Sequence, residues 1–259
     1  MNEILNKLQE MRLHGMARAF RETLESARNE KFTPDELINL LVMSEYDHRH
    51  TRRLDRFLQM AQFRYKSSIE EVVVDDNRID KNQLMRLASC EFINRKENII
   101  ITGSTGIGKS FLASAIGHQA CLLGYKVLYQ HSSKLFGKMK IAKADGSYLK
   151  ELAKIERQQL LLIDDFGLQA LDVQSRSTLM EIIEDRHGKS STIITSQVPV
   201  NKWHEIIGEQ TIADAILDRL VHDAHRVEMK GESLRKKRTL KTRIRDSNYP
   251  AHYAGRALA

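Results

Sequence analysis

The stretch Gly103-Ser104-Thr105-Gly106-Ile107-Gly108-Lys109-Ser110 constrains this 259-residue chain more than any other. It fits the phosphate-binding loop pattern, with four residues between the first glycine and a Gly-Lys-Ser ending. An apolar run, Ile99-Ile100-Ile101, precedes it, and an amphipathic stretch containing Phe111, Leu112, Ala115 and Ile116 follows. A strand passing through such a loop into a helix is the context the pattern requires. Its glycines let main-chain N–H groups close around phosphate oxygens with no Cβ in the way. The positive end of the following helix faces the same anion. Lys109 adds a mobile charge for the outer phosphates, and Ser110 offers a hydroxyl to Mg2+. Residues 103–111, Phe111 included, are the expected contacts of a nucleoside triphosphate.

From about residue 98 the pattern alternates. Strands are expected at 98–102, 126–130, 160–164 and 192–196, with a weaker fifth at 226–229, and helical stretches separate them. Such alternation predicts an α/β fold with a parallel sheet covered by helices on both faces. Asp172, Asn201 and Thr211 are the expected helix N-caps.

Leu160-Leu161-Leu162-Ile163-Asp164-Asp165 reads as a buried strand with acids at its C-terminal end, where ligands sit in open α/β sheets. Asp164 is expected to hold Mg2+, directly or through water, and Asp165 to orient and partly deprotonate an attacking water. A third strand ends in Thr195-Ser196-Gln197. If it lies between the other two, a Ser196 or Thr195 hydroxyl reaches the γ-phosphate or the water, and Ser196 is the first choice. In Asp214-Ala215-Ile216-Leu217-Asp218-Arg219-Leu220, inward-facing Ile216, Leu217 and Leu220 leave Arg219 exposed on the far side of the domain from the loop. An arginine there cannot serve its own nucleotide but could reach a neighbour's; on spacing alone, an ion pair with Asp214 or Asp218 is the plainer reading.

Residues 1–66 read as a small all-helical domain. Leu8, Met11, Met16, Phe20 and Leu24 recur at helical spacing. Thr33-Pro34-Asp35-Glu36 is a capping box with proline at the first helical position, and Leu37, Leu40 and Leu41 form the stripe that follows. A further helix is expected from about Tyr46, with Arg49, Arg52, Arg53 and Arg56 on one face and Leu54, Phe57, Leu58 and Ala61 on another. The arginine face could track DNA phosphates or be a solvated face paired with Glu45, Asp47 and Asp55. Residues 67–97 read as a linker docked on the next domain, with one short helix around 83–88; 98–234 is the nucleotide-binding domain and 235–259 a basic tail.

A formal net charge of +7 suggests an anionic partner, nucleic acid foremost. No apolar run approaches the ~20 residues of a membrane helix, so no membrane partner is expected. Cys90 and Cys121 are the only cysteines, and they form no CxxC pair. With a first segment unlike a secretion signal, they fit a reducing cytoplasm. His48, His50, His222 and His225 lack metal-site spacing and read as polar surface or DNA-proximal groups.

These pieces, with His14-Gly15-Met16-Ala17, the run from Ser196 through Trp203-His204, residues 213–220 and Gly231-Glu232-Ser233-Leu234-Arg235, resemble the IstB family. Its members are ATP-binding helpers encoded beside the transposases of certain bacterial insertion sequences, and they are AAA+ ATPases close to the DnaC helicase loaders. The resemblance implies an AAA+ sheet order, ATP and Mg2+ as ligands, and ATP-dependent assembly of copies on double-stranded DNA. It also implies a cognate transposase as partner, and Arg219 as the finger supplied to a neighbouring copy. Arg235 lies where a second sensor is found in AAA+ proteins. The common Asp-Glu pair is Asp164-Asp165 here, and the shorter second acid predicts slow basal hydrolysis. A helicase-loading adaptor and an architectural DNA binder using ATP only structurally are the rival readings.

Overall fold

A computed structural model describes residues 2–25, 32–75 and 78–234. The chain forms two compact units, one up to Met60 and one from Ala61 onward. The division falls a few residues before the expected boundary at 66, and residues 67–97 belong to the second unit.

The described elements of the first unit are helices α1 (Asn2–Glu10), α2 (His14–Glu25) and α3 (Pro34–Ala61), whose last residue begins the second unit. The capping box forms as expected: the Thr33 N–H donates to Glu36 Oε2 at 2.8 Å, and the Glu36 N–H donates to Thr33 Oγ1 at 3.4 Å. No new helix starts near Tyr46. With no glycine or proline between Pro34 and Ala61, nothing interrupts the hydrogen-bond ladder, and α3 runs on for 28 residues. Leu37, Leu40 and Leu41 are half-buried, and Met11 is exposed; the fully buried positions of α2 are the small ones, Gly15, Ala17, Ala19 and Thr23.

Two features fix α2 on α3. A Cβ at Gly15 would collide with the Ser44 carbonyl oxygen, so only glycine permits this approach. Buried Glu45 then accepts the Gly15 N–H at 2.7 Å and the Met16 N–H at 3.2 Å, satisfying orphan donors at the start of α2. Arg49 Nε donates to the same carboxylate at 2.7 Å.

The second unit opens with a 3-10 turn at Ile69–Glu71, then α4 (Lys81–Ala88) and α5 (Glu91–Arg95), the second of which the sequence did not announce. Buried Leu84, Leu87, Phe92 and Ile93 dock this stretch. Strands β1 (Asn98–Gly103), β2 (Val127–His131), β3 (Leu160–Phe166), β4 (Ser191–Ser196) and β5 (Ala224–Met229) follow. All pair in parallel in the order β2-β3-β4-β1-β5. The helices between them are α6 (Lys109–Leu122), α7 (Ser132–Ala144), α8 (Tyr148–Glu156), α9 (Val173–Arg186), α10 (Trp203–Ile207) and α11 (Gln210–Val221).

Helices on both faces explain why the central strands read as continuous apolar runs rather than alternating ones. Ile100, Leu161, Ile163 and Ile194 join a core with α9, α11 and Trp203. Trp203 is fully buried, donates from Nε1 to the Val198 carbonyl at 3.0 Å and packs edge-on to Phe166. On the other face α6 packs closely enough that a Cβ at Gly117 would press on Phe63 and Leu162.

Asp172 caps α9, accepting the Ser175 N–H at 2.9 Å. Asn201 and Thr211 cap nothing. Asn201 lies inside a 3-10 turn, Val200–Lys202, and α10 begins at the buried Trp203. Glu209 caps α11, its carboxylate taking both the Thr211 and Ile212 N–H groups at 3.0 and 2.8 Å. A charged acceptor at a helix N-terminus serves two donors where a hydroxyl serves one.

Candidate functional site

The loop at 104–108 joins the C-terminal end of β1 to the N-terminus of α6, as the sequence predicts. Helix α6 has no side-chain cap and no acid in its first turn, which leaves its leading N–H groups for an anion. Gly106 has φ +83°, and a Cβ there would strike the Ser233 hydroxyl. The loop is thus shaped from both sides, since the Leu234 N–H donates to the Gly106 carbonyl at 2.9 Å. Lys109 is mostly buried, and its Nζ donates to the Ser104 carbonyl at 2.9 Å, folding the ammonium back over the loop. Ile107 is fully buried, so its side chain anchors the loop and only its main chain faces a ligand. Half-buried Phe111 lies beside the Tyr65 ring, with centroids 6.2 Å apart.

Strand β4 lies between β1 and β3 and brings its polar end to both. Asp164 is 1% exposed and both its oxygens have partners: it accepts the Thr195 hydroxyl at 2.5 Å on Oδ1 and the Tyr129 hydroxyl at 2.5 Å on Oδ2. Burial, and then the bond to Asp164, push the Tyr129 phenol well above its ordinary pKa, so it remains a donor. Asp165 sits in the left-handed region at φ +56°, where the β3–β4 register breaks between Ile163 and Phe166. Its N–H donates to Thr195 Oγ1 at 3.0 Å. The twist turns its carboxylate outward, 3.4 Å from His131 Nε2 and 3.3 Å from Arg64 Nη1. A strained residue at a strand end is a common mark of function.

Ser196 does not face these acids. Its hydroxyl is buried, donates to the Phe166 carbonyl at 2.7 Å and accepts the Val198 N–H at 3.0 Å. Thr195, one residue earlier, is the strand-end hydroxyl that meets both acids, and Gln197 Oε1 accepts the Thr105 hydroxyl at 2.5 Å. Alternation along a strand puts neighbours on opposite faces, so Thr195 meets the acids while Ser196 meets the Phe166 carbonyl.

The Asp164 and Asp165 carboxylates and the Ser110 hydroxyl are hard oxygen donors. Mg2+ takes few protein ligands of this kind when phosphates and water complete its shell, so the residues fit the ion.

Arg219 lies at the opposite edge. Its carbonyl accepts Asn98 Nδ2 at 3.2 Å, at the start of the strand whose far end is the loop, about 17 Å away along β1. Its guanidinium pairs with Glu184 at 2.9 Å and with the Ala215 carbonyl at 2.9 Å, rather than with Asp214 or Asp218. A cleft of about 540 Å³ surrounds it, lined also by Asn98, Arg186 and His225. This cleft is not the phosphate site: Arg186, its most buried cation, is spent on Thr192 and on the carbonyls of Ile155, Gln158 and Ser191.

In the first unit, Arg49, Arg52, Arg53 and Arg56 are all exposed on α3, while Phe57 is buried. Arg49 is held by Glu45; Arg53 and Arg56 lie over the Phe57 ring at 5.3 and 5.9 Å. Arg52 makes no ion pair among the described residues. Arg235 and the tail at 235–259 lie outside the described residues. No helix among the described residues is long and apolar enough to cross a membrane.

Sequence reasoning missed Arg64, Tyr129 and His131. Tyr129 and His131 carried a signal, two polar groups at i and i+2 near a strand's C-terminal end; Arg64, placed in an expected helix, carried none.

A family model described as IstB-like ATP binding protein matches residues 6–242. A Sinorhizobium fredii protein named for an insertion sequence and for ATP binding, y4pL, is 44% identical over 239 residues, covering 92% of this chain and 98% of that one. Among solved structures, the DnaC helicase loader superposes with a TM-score of 0.53 at 18% identity, over 64% of this chain and 98% of that one. AMPPCP-bound DnaA from Aquifex aeolicus superposes with a TM-score of 0.55 at 20% identity, over 72% and 57%. At these identities the two structures speak to the fold alone, and it is that of AAA+ P-loop ATPases.

Proposed function

The chain belongs to the family of IstB-like ATP-binding proteins, and from that premise we propose that it is the ATP-hydrolysing helper of an insertion-sequence transposase, assembling in several copies on double-stranded DNA. The polar line across the C-terminal edge of the sheet carries this reading: Lys109 on the loop, Thr195 on the middle strand, and Asp164 and Asp165 on the next. Lys109 and the loop N–H groups hold the phosphates. Ser110 and Asp164 hold Mg2+, which supplies charge neutralisation on the phosphate oxygens when bound. Asp165 orients the water and takes its proton as the water oxygen bonds to the γ-phosphorus. The bond from that phosphorus to the bridging oxygen breaks, leaving ADP and inorganic phosphate. Thr195 positions both acids, and Gln197 holds Thr105 at the loop's rim.

Arg219, too far along β1 to act on its own copy's phosphates, serves the site of the next copy, where guanidinium charge stabilises the transferring phosphoryl group. ATP then acts as a ligand of the assembly, favouring the oligomer that shares its site. We assign DNA contact to the helical first unit, through Arg52, Arg53 and Arg56, with Arg49 partly committed to Glu45. The partner is the cognate transposase and the compartment the cytoplasm.

Mixing two variants tests the shared site. Arg219→Ala and Lys109→Ala are each expected to be inactive alone, and mixing them restores part of the ATPase activity, because an intact loop can meet an intact finger. No recovery, from a wild type that stays a single copy with ATP and duplex DNA present, would sink the reading. Capture of a replicative helicase by residues 1–66, with no duplex binding, would favour a helicase-loading adaptor.

A further inference from the structure

Arg64 belongs to none of the expected chemistry, yet it touches both acids of the site. It comes three residues after the end of α3 at Ala61. Its Nη1 lies 3.3 Å from Asp165 Oδ2 and 3.7 Å from Asp164 Oδ2. Aromatic rings on either side of it fix its place. Phe63 fills the space above Gly117 of α6, and Tyr65 packs on Phe111, next to Ser110. The guanidinium also lies 5.4 Å over the Tyr65 ring. Tyr129, itself next to the guanidinium, bonds Asp164, and His131 lies beside Asp165. Held in this way, the side chain is still 42% exposed, so it can leave its partners for water without being stranded in the core.

Carboxylates that hold a divalent cation cannot hold a guanidinium at full strength as well. The two cations repel, and each draws on the same oxygen charge. We propose that Arg64 is a positioning residue that competes with the divalent metal for Asp164 and Asp165, so that it sets the metal affinity of the site and ties the 62–66 segment to nucleotide loading. The proposal rests on the reading that Asp164 and Ser110 hold the metal of a bound nucleotide. While Arg64 keeps Asp165 paired, its Oδ2 is engaged and is not free to accept from the attacking water. Giving up the pair makes it available, which couples hydrolysis to a filled metal site. The segment that moves is the one that follows the first unit in the chain, between Ala61 and the 3-10 turn.

The test is an Mn2+ titration, read by electron paramagnetic resonance, of the full-length protein with a non-hydrolysable ATP analogue. Arg64→Ala is expected to bind Mn2+ about five- to tenfold more tightly than wild type. Arg64→Lys, which keeps the charge, stays close to wild type. Unchanged or weaker binding in Arg64→Ala, or an Arg64→Lys that matches Arg64→Ala, overturns the proposal. Should Arg64→Ala fail to fold, hydrogen exchange on the wild type decides the matter. Peptides spanning 62–66 exchange faster with analogue plus Mn2+ than with analogue alone; no change overturns the proposal. An Asp164→Asn control separates the two failures: if it binds Mn2+ as wild type does, the assignment of the metal site itself falls.

Discussion

Among the described residues each of the two units buries one acid, and the partners of these acids differ in kind. Glu45 is met by two main-chain N–H groups at a helix start and by Arg49 one turn away. Asp164 is met by hydroxyls from two other strands, and Arg64 approaches it from the segment after α3. The first set cannot change without unfolding α2. The second can rotate or withdraw, and it stands at an open sheet edge. A buried carboxyl with main-chain partners acts as a joint, whereas the one with side-chain partners at a strand end lies where we propose the working site.

Exchanging the roles of the two acids would break this comparison. The largest effect is expected at the working site. Asp165→Asn should lower kcat for ATP by about 10²–10⁴-fold with nucleotide binding retained, and Lys109→Ala should abolish both; steady-state ATPase and nucleotide titrations check this. Next, Glu45→Ala should destabilise the first unit by about 2–4 kcal/mol, since two N–H groups and Arg49 lose their acceptor. Its ATP affinity should be unchanged, and thermal unfolding followed beside nucleotide binding tests both halves. Asp164→Asn should do the reverse, losing turnover at little cost to the melting temperature.

The acid response sharpens the same contrast. Burial raises the Glu45 pKa, but the bonds from Arg49, Met16 and Gly15 outweigh it, and the carboxyl ends below its ordinary value. A depressed folded-state pKa contributes stability above the unfolded-state value and loses it as pH falls through the folded-state one. The first unit should therefore weaken on acidification in the wild type and less so in Glu45→Gln, as melts between neutral pH and about pH 3 would show. Smaller still is the difference between Thr195→Ala and Ser196→Ala. The first should cost ATPase activity; the second should cost about 1 kcal/mol of stability and leave turnover intact. The smallest effect is on DNA: Arg52→Ala with Arg53→Ala should flatten the log–log salt dependence of duplex binding by about 1.8.

What the sequence made legible was local. The loop, its strand and its helix lie within twenty-odd contiguous residues, and the expected strands match to within about two residues at each end. Apolar runs flanked by turns are the strongest signal a chain offers for a covered parallel sheet. Which of Thr195 and Ser196 meets the acids was not legible because it depended on facing, which the break in register at Asp165 and the position of β4 decide. Arg64 was out of reach because its partners lie about a hundred residues away. The helix start at Tyr46 was inferred from a change of exposed face, although no residue there could end a helix. Glu209 was passed over for Thr211 because hydroxyls are the commoner caps, while two adjacent N–H groups favoured a carboxylate.

The hydrogen bond from the Leu234 N–H to the Gly106 carbonyl joins the stretch after β5 to the middle of the loop. Tension applied to the chain beyond that point would be transmitted to the loop at Gly106, the proposed phosphate site. An environment-sensitive dye on a cysteine at position 233 would therefore serve as a gauge of loop occupancy, and a bulky fusion placed directly after 234 should weaken nucleotide retention while leaving the sheet untouched.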